Sequence, residues 1–231
     1  MFKPNIEKMK IKKDVKGFLK TLKYSDRVLV VDAINVLGEI KDKSAAEPLI
    51  ENIFNKDKSI RLTAIFALGK IAGSRAVEPL ISFIKSLSYP DRDTQIYAIF
   101  SLGEIGDSRA VKPLVKFMIV GDSNIREQVA IALDKIGWTP EDDIEKAYYL
   151  ISKKKFDELA ILGSSNFNVL FKLLDDSDYK ICKAAAEILR QLKDERAIEP
   201  LIKVIKEGKM VGASYALAAI GKPTRLILSA N

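Results

Sequence analysis

The side chains that most often do chemistry in proteins are scarce here: histidine is absent, and Cys182 is the single cysteine. Without histidine, neither a serine or cysteine triad nor a typical zinc or facial-triad iron site can be assembled. Cys182 falls at helical spacing within Ile181-Cys182-Lys183-Ala184-Ala185, the setting of a small packing residue, and no internal disulfide can form. The run Glu141-Asp142-Asp143 offers hard-cation ligands. Following Thr139-Pro140, it reads better as a helix N-terminus, where negative charge complements the dipole. Gly121-Asp122-Ser123 and Gly163-Ser164-Ser165 are short inter-helix turns, not glycine-rich phosphate loops. The expectation is a non-enzyme with no catalytic, metal or cofactor residues.

Charge points the same way. The net charge of +7 is concentrated in Met1–Lys23, which carries eight lysines against Glu7 and Asp14, leaving a net of +1 for all that follows. A nearly neutral body is not the footprint of a groove that tracks phosphates, so nucleic acid is not the expected partner. The basic segment, with Val15, Phe18, Leu19 and Leu22 as its apolar stripe, reads as a cap whose outer face stays wet. No apolar stretch approaches a membrane span and no signal-peptide pattern opens the chain. A soluble, cytoplasmic protein is expected.

The elements that would position any site are repeats. Ala-x-x-Pro-Leu recurs at Ala45–Leu49, Ala76–Leu80, Ala110–Leu114 and Ala197–Leu201. A second marker, the leucine late in the following helix, falls at Leu37, Leu68, Leu102, Leu133, Leu189 and Leu217, with steps of 31, 34, 31, 56 and 28 residues. Repeats of about 30 residues are two-helix hairpins that bury their apolar faces only against neighbours. The long step holds an insertion, which the first-helix marker also requires as it moves from Pro113 to Val169. Asp26, Asp57, Asp91, Asp122 and Asp178 each lie eleven residues before a marker leucine, where a second helix needs its cap. Gly38, Gly69 and Gly103 follow their leucines inside the helical pattern, which predicts close approach of the next layer. The insertion predicts two short helices carrying Tyr148-Tyr149-Leu150-Ile151 and Phe156, Leu159, Ile161 and Leu162, with Trp138 at their junction with the array.

Ile60-Arg61 through Ala67-Leu68-Gly69-Lys70-Ile71 and Ile125-Arg126 through Ala132-Leu133-Asp134-Lys135-Ile136 resemble the second helix of the HEAT-like repeat of the phycobilisome-lyase (PBS lyase) type. The resemblance runs from Asp14 to about Gly221, and Gly137-Trp138-Thr139-Pro140 with Glu145-Lys146-Ala147-Tyr148-Tyr149 looks like a segment recurring in archaeal members. It implies an all-α fold, a right-handed α-α superhelix of about six hairpins plus a helical insertion. The chain would be one array: residues 14–137 (four repeats), 138–163 (insertion), 164–221 (two repeats) and 222–231 (a C-terminal tail). Family members work as protein-binding scaffolds, as subunits of bilin lyases, and in related folds on nucleic acid. Deoxyhypusine hydroxylase, similar in fold, holds its irons on His-Glu pairs that this chain lacks. A scaffold binding a protein partner through its concave face is the leading expectation, with a bilin-lyase-like or other accessory subunit, or a nucleic-acid binder, as alternatives.

Helical angles name the surface. At about 100° per residue, the residue two before each marker leucine points roughly 160° from the core stripe, and the residue five before it about 140° away on the other side. Family members usually carry a polar residue two before the leucine, as Glu187 does, whereas three successive repeats carry Phe66, Phe100 and Ile131, with Tyr97 five before Leu102. These four residues are the expected partner-binding patch. Self-association stays open for such a surface.

Overall fold

The computed structural model describes residues 4–71, 73–86, 91–192, 195–206 and 217. Among them every regular element is helical: α1 (Ile6–Ile11), α2 (Val15–Thr21), α3 (Arg27–Ile40), α4 (Ala46–Asn52), α5 (Lys58–Ile71), α6 (Val77–Lys85), α7 (Arg92–Ile105), α8 (Val111–Val120), α9 (Ser123–Ile136), α10 (Asp143–Ser152), α11 (Phe156–Ser165), α12 (Phe167–Leu174), α13 (Tyr179–Leu192) and α14 (Ile198–Lys206). The second helix of the last repeat and the tail 222–231 lie outside the described residues, apart from Leu217. All six marker leucines, Leu217 included, are fully buried.

The aspartates act as expected. Asp26 accepts from the N–H groups of Val28 and Leu29, Asp57 from Ser59 and Ile60, Asp91 from Thr94, Asp122 from Asn124 and Ile125, and Asp178 from Lys180. Each satisfies donors that a helix start leaves open. Pro48, Pro79, Pro113 and Pro200 occupy the third position of α4, α6, α8 and α14, where no intrahelical partner for an N–H exists. Val169 takes that place in α12, and its N–H reaches Asn166 O at 3.2 Å. A turn of 3-10 helix precedes α4, α6, α8 and α14 and ends on the pentad alanine, which is fully buried in all four cases.

The chain divides into two compact units, one formed by residues 1–117 with 128–138 and the other by 118–127 with 139–231. The divisions fall inside α8, inside α9 and after Trp138, at the start of the insertion. In the first unit the hairpins α2–α3, α4–α5 and α6–α7 stack so that α5 packs between α3 and α7. The layers touch through the glycines. A Cβ on Gly38 would stand 3.2 Å from Ala67 Cβ, one on Gly69 2.9 Å from Ser101 Oγ, and one on Gly103 2.8 Å from Ala132 Cα. In the second unit α11 packs on α12 and α13, and α10 on α12. The insertion is thus a hairpin of two helices, and α11 runs to Ser165, two residues past the boundary drawn from the sequence. Trp138 is half-buried at the end of α9, its N–H on Leu133 O.

Candidate protein-interaction surface

The first unit presents one side of its second helices to solvent, because positions one, three and four before each marker leucine are buried: Val36, Ile34 and Ala33 in α3, Ala67, Ile65 and Ala64 in α5, Ser101, Ile99 and Ala98 in α7. Position two before the leucine then points outward. Phe66 is 37% exposed and Tyr97 43%, high values for aromatic side chains. Phe100 and Ile131 are half-buried. The Phe66 and Phe100 rings stack across the α5–α7 boundary, centroids 6.4 Å apart and planes inclined by 21°. Tyr97 lies one turn before Phe100 on the same helix.

One turn beyond this apolar row runs a row of charge that sequence inspection passed over: Glu39, Lys70, Glu104 and Lys135, each two residues after its marker leucine. Lys70 Nζ sits 4.3 Å from the Phe66 ring centroid and Lys135 Nζ 4.5 Å from that of Phe100, so each phenylalanine face carries an ammonium. Lys135 also pairs with Glu104, and Glu39 with Lys10 at 3.0 Å. Lys135 thereby joins α9 to the α7 ring, while Ile131 stands one turn before it. The signal that could have found this row was the four-residue offset from the aromatic positions.

Titratable groups cluster elsewhere, and their geometry is structural. In the first unit, Arg61 donates Nη1 to Asn55 O and Lys56 O, both at 2.9 Å, and Nη2 to Asp91 of the next layer at 2.9 Å. Burial alone would raise the Asp91 carboxyl, but hydrogen bonds from Thr94 and Arg61 with the Lys58 ammonium nearby hold it down at about 2. In the second unit Arg126 repeats the pattern: Nε reaches Met118 O at 2.9 Å, and Nη2 reaches Ile119 O at 2.8 Å and Asp176 Oδ2 at 2.8 Å. Asp176 also accepts from Tyr148 Oη at 2.7 Å, and the guanidinium lies over the Tyr148 ring. Asp178, the register equivalent of Asp91, accepts from Ser123 through its N–H at 3.0 Å and its hydroxyl, and lies 3.9 Å from Arg126 Nη1, without a hydrogen bond from it.

Cys182 occupies the helix position that Arg61 and Arg126 hold in their repeats. Its thiol donates to Asp176 O, and burial raises its pKa, the opposite of what a reactive thiolate requires. A cleft of about 210 Å³ beside this cluster is walled by Ile151, Phe156 and Ile181 with Lys154 and Lys180; Lys154 already meets Glu127 at 3.4 Å. Among the described residues no group of three histidine, cysteine or acidic side chains could hold a metal ion, and no helix is long and apolar enough to cross a membrane.

Helical hairpins stacked through glycine, capped by aspartate and tied by arginine define an all-α repeat protein of the α-α superhelix class. The HEAT-repeat family matches residues 15–89 and 82–152, well over half of the chain, and this protein belongs to it. The PBS lyase HEAT-like repeat matches residues 181–207. No curated protein matches the chain. Similar solved structures include the complex of CpcE and CpcF of phycocyanin lyase from Nostoc sp. PCC7120, 20% identical, covering 90% of this chain and 93% of that one with a TM-score of 0.48. A designed armadillo repeat protein is 16% identical, with 89% and 99% covered and a TM-score of 0.44. An engineered protein is 22% identical, with 90% and 96% covered and a TM-score of 0.41.

Proposed function

We propose that this protein is a non-catalytic, cytoplasmic interaction scaffold that binds a protein partner through the second-helix face of its first unit. The observation that carries the reading is the partly exposed Phe66–Phe100 stack. Two aromatic rings with Tyr97 beside them on a rigid helical face form the kind of anchor on which binding energy concentrates. The surrounding lysines and glutamates supply a polar rim. HEAT repeats offer such a face as a continuous strip, since each layer contributes the same register positions.

The alternatives draw less from the molecule. The neutral body gives nucleic acid no phosphate track, and a lyase-like or other enzymatic role draws no support from the described face, where Glu104 and Lys135 pair with one another and Lys70 lies over the Phe66 ring. The test compares the native protein with a Phe66→Ser, Phe100→Ser double variant. Both positions are partly solvent-facing, so the variant should keep its helical circular dichroism and most of its denaturant resistance while losing capture of protein partners. A variant that unfolds as a core mutant does would make these rings part of the inter-layer core and end the proposal, as would turnover of a substrate by the purified protein alone.

A further inference from the structure

The order of signs in the charged row identifies a partner. Across the adjacent second helices α3, α5, α7 and α9, the row reads Glu39, Lys70, Glu104, Lys135, so the sign alternates from layer to layer. Contacts fix those four side chains as neighbours in sequence order: α3 packs on α5 and α5 on α7, and Lys135 of α9 pairs with Glu104 of α7. Glu39, Glu104 and Lys135 have partners in their own chain, whereas the Lys70 ammonium lies over the Phe66 ring and meets no carboxylate among the described residues.

We propose that this face binds a second copy of the same chain about a two-fold axis running along the groove between α5 and α7. The inference rests on the preceding reading of the face as a protein-binding surface and names its occupant. An isologous contact places residue i against j and j against i. Reversing a row of alternating sign about its midpoint sets every charge against its opposite: Lys70 meets Glu104 of the second copy, Glu104 meets its Lys70, and Glu39 and Lys135 meet one another twice. The same operation lays the Phe66 ring of one copy over Phe100 of the other, joining two stacked pairs into a four-ring centre, with Tyr97 closing over the small Thr63 position of the opposite copy. An axis perpendicular to the helices would instead set Lys70 on Lys70 and Glu104 on Glu104. The row therefore selects the first arrangement and rejects the second, which is how charge commonly contributes to association.

Sedimentation equilibrium over a concentration series, at low and high salt, tests this. The native chain should form dimers that weaken as salt rises, because the charge row is exposed and screened. Lys70→Glu alone and Glu104→Lys alone should each weaken the dimer at least about tenfold, since like charges then face one another twice. An equimolar mixture of the two variants should associate again, as every contact between a Lys70→Glu copy and a Glu104→Lys copy is of opposite sign. Both substitutions are on exposed side chains, and unchanged denaturant midpoints confirm intact folding. A native chain that stays monomeric up to its solubility limit overturns the inference, as does a dimer indifferent to the single reversals or a mixture that fails to associate. If the chain is monomeric but Phe66→Ser with Phe100→Ser still abolishes capture of another protein, the binding face stands and only its occupant is wrong. If that double variant keeps all its associations, the face itself is wrong.

Discussion

Alanine at Gly38, Gly69 and Gly103 separates helix propensity from layer packing, because the two make opposite forecasts. All three glycines lie within the last turn of long helices, where alanine is worth up to about 1 kcal/mol of added stability. Propensity alone would have every variant stabilised equally. The spacing of the layers differs at each site. At Gly38 the new methyl would meet Ala67 Cβ at 3.2 Å and Cα at 3.3 Å, a crowding relieved by a shift of a few tenths of an ångström. At Gly69 it would press on Ser101, at 2.9 Å from Oγ and 3.3 Å from Cα, and that hydroxyl is already committed to Ile65 O at 3.0 Å. At Gly103 it would come within 2.8 Å of Ala132 Cα, so a helix backbone must move. Overpacking costs roughly 1 to 3 kcal/mol. Subtracting the propensity gain leaves Gly38→Ala within about 0.5 kcal/mol of the parent, Gly69→Ala about 1 kcal/mol less stable and Gly103→Ala about 2 kcal/mol less stable. Urea unfolding followed by circular dichroism, with amide exchange to locate the loss, reads all three. A Gly103→Ala variant as stable as the parent would mean that α7 and α9 do not approach as described.

Two further outcomes concern the arginines and their aspartates. Arg126→Met leaves the Asp176 carboxylate, 3% exposed, without its cation and should cost about 3 to 5 kcal/mol, most of it recovered by adding Asp176→Leu; urea midpoints showing a loss below about 1 kcal/mol for Arg126→Met would refute this. The Asp91 carboxyl, held at about 2 against an ordinary 3.8, contributes stability that is complete above about pH 4 and fades as pH falls toward 2. Acid titration of unfolding should show that component vanish in Asp91→Asn, and an unchanged acid profile would remove the carboxylate from the account.

The hairpin architecture was readable because each repeat re-uses the same contacts. A leucine that is buried once is buried six times, and an aspartate that caps α3 also caps α5, α7, α9 and α13. The 3-10 turns before α4, α6, α8 and α14 were not readable, since such short turns leave no hydrophobic period; before α4 and α8 they are held by Asp42, which accepts from the Ser44 N–H, and by Asp107, which accepts from the Arg109 N–H and guanidinium. The aromatic positions followed from angles alone. The charge row did not, because an alternation spread across residues 39, 70, 104 and 135 has meaning only after the layers are aligned. The pairing of Arg126 with Asp176 was likewise hidden: the register points to Asp178, and Ser123 occupies that carboxylate.

That pairing has a consequence for how the chain is made. Arg61 finds Asp91 30 residues downstream, whereas Arg126 must reach 50 residues, past the whole inserted hairpin, to find Asp176. In chain entropy the longer closure adds only about 0.5 kcal/mol, so an insertion of this size is easily tolerated at equilibrium. Time is another matter. At roughly 5 to 20 residues per second, a ribosome delivers Asp176 some 3 to 10 seconds after Arg126, and until then the guanidinium has no carboxylate to enter the interior with. The charged end of the Arg126 side chain is thus neutralised only once the whole inserted hairpin has been made, although its carbonyl partners, Met118 and Ile119, precede it in the chain.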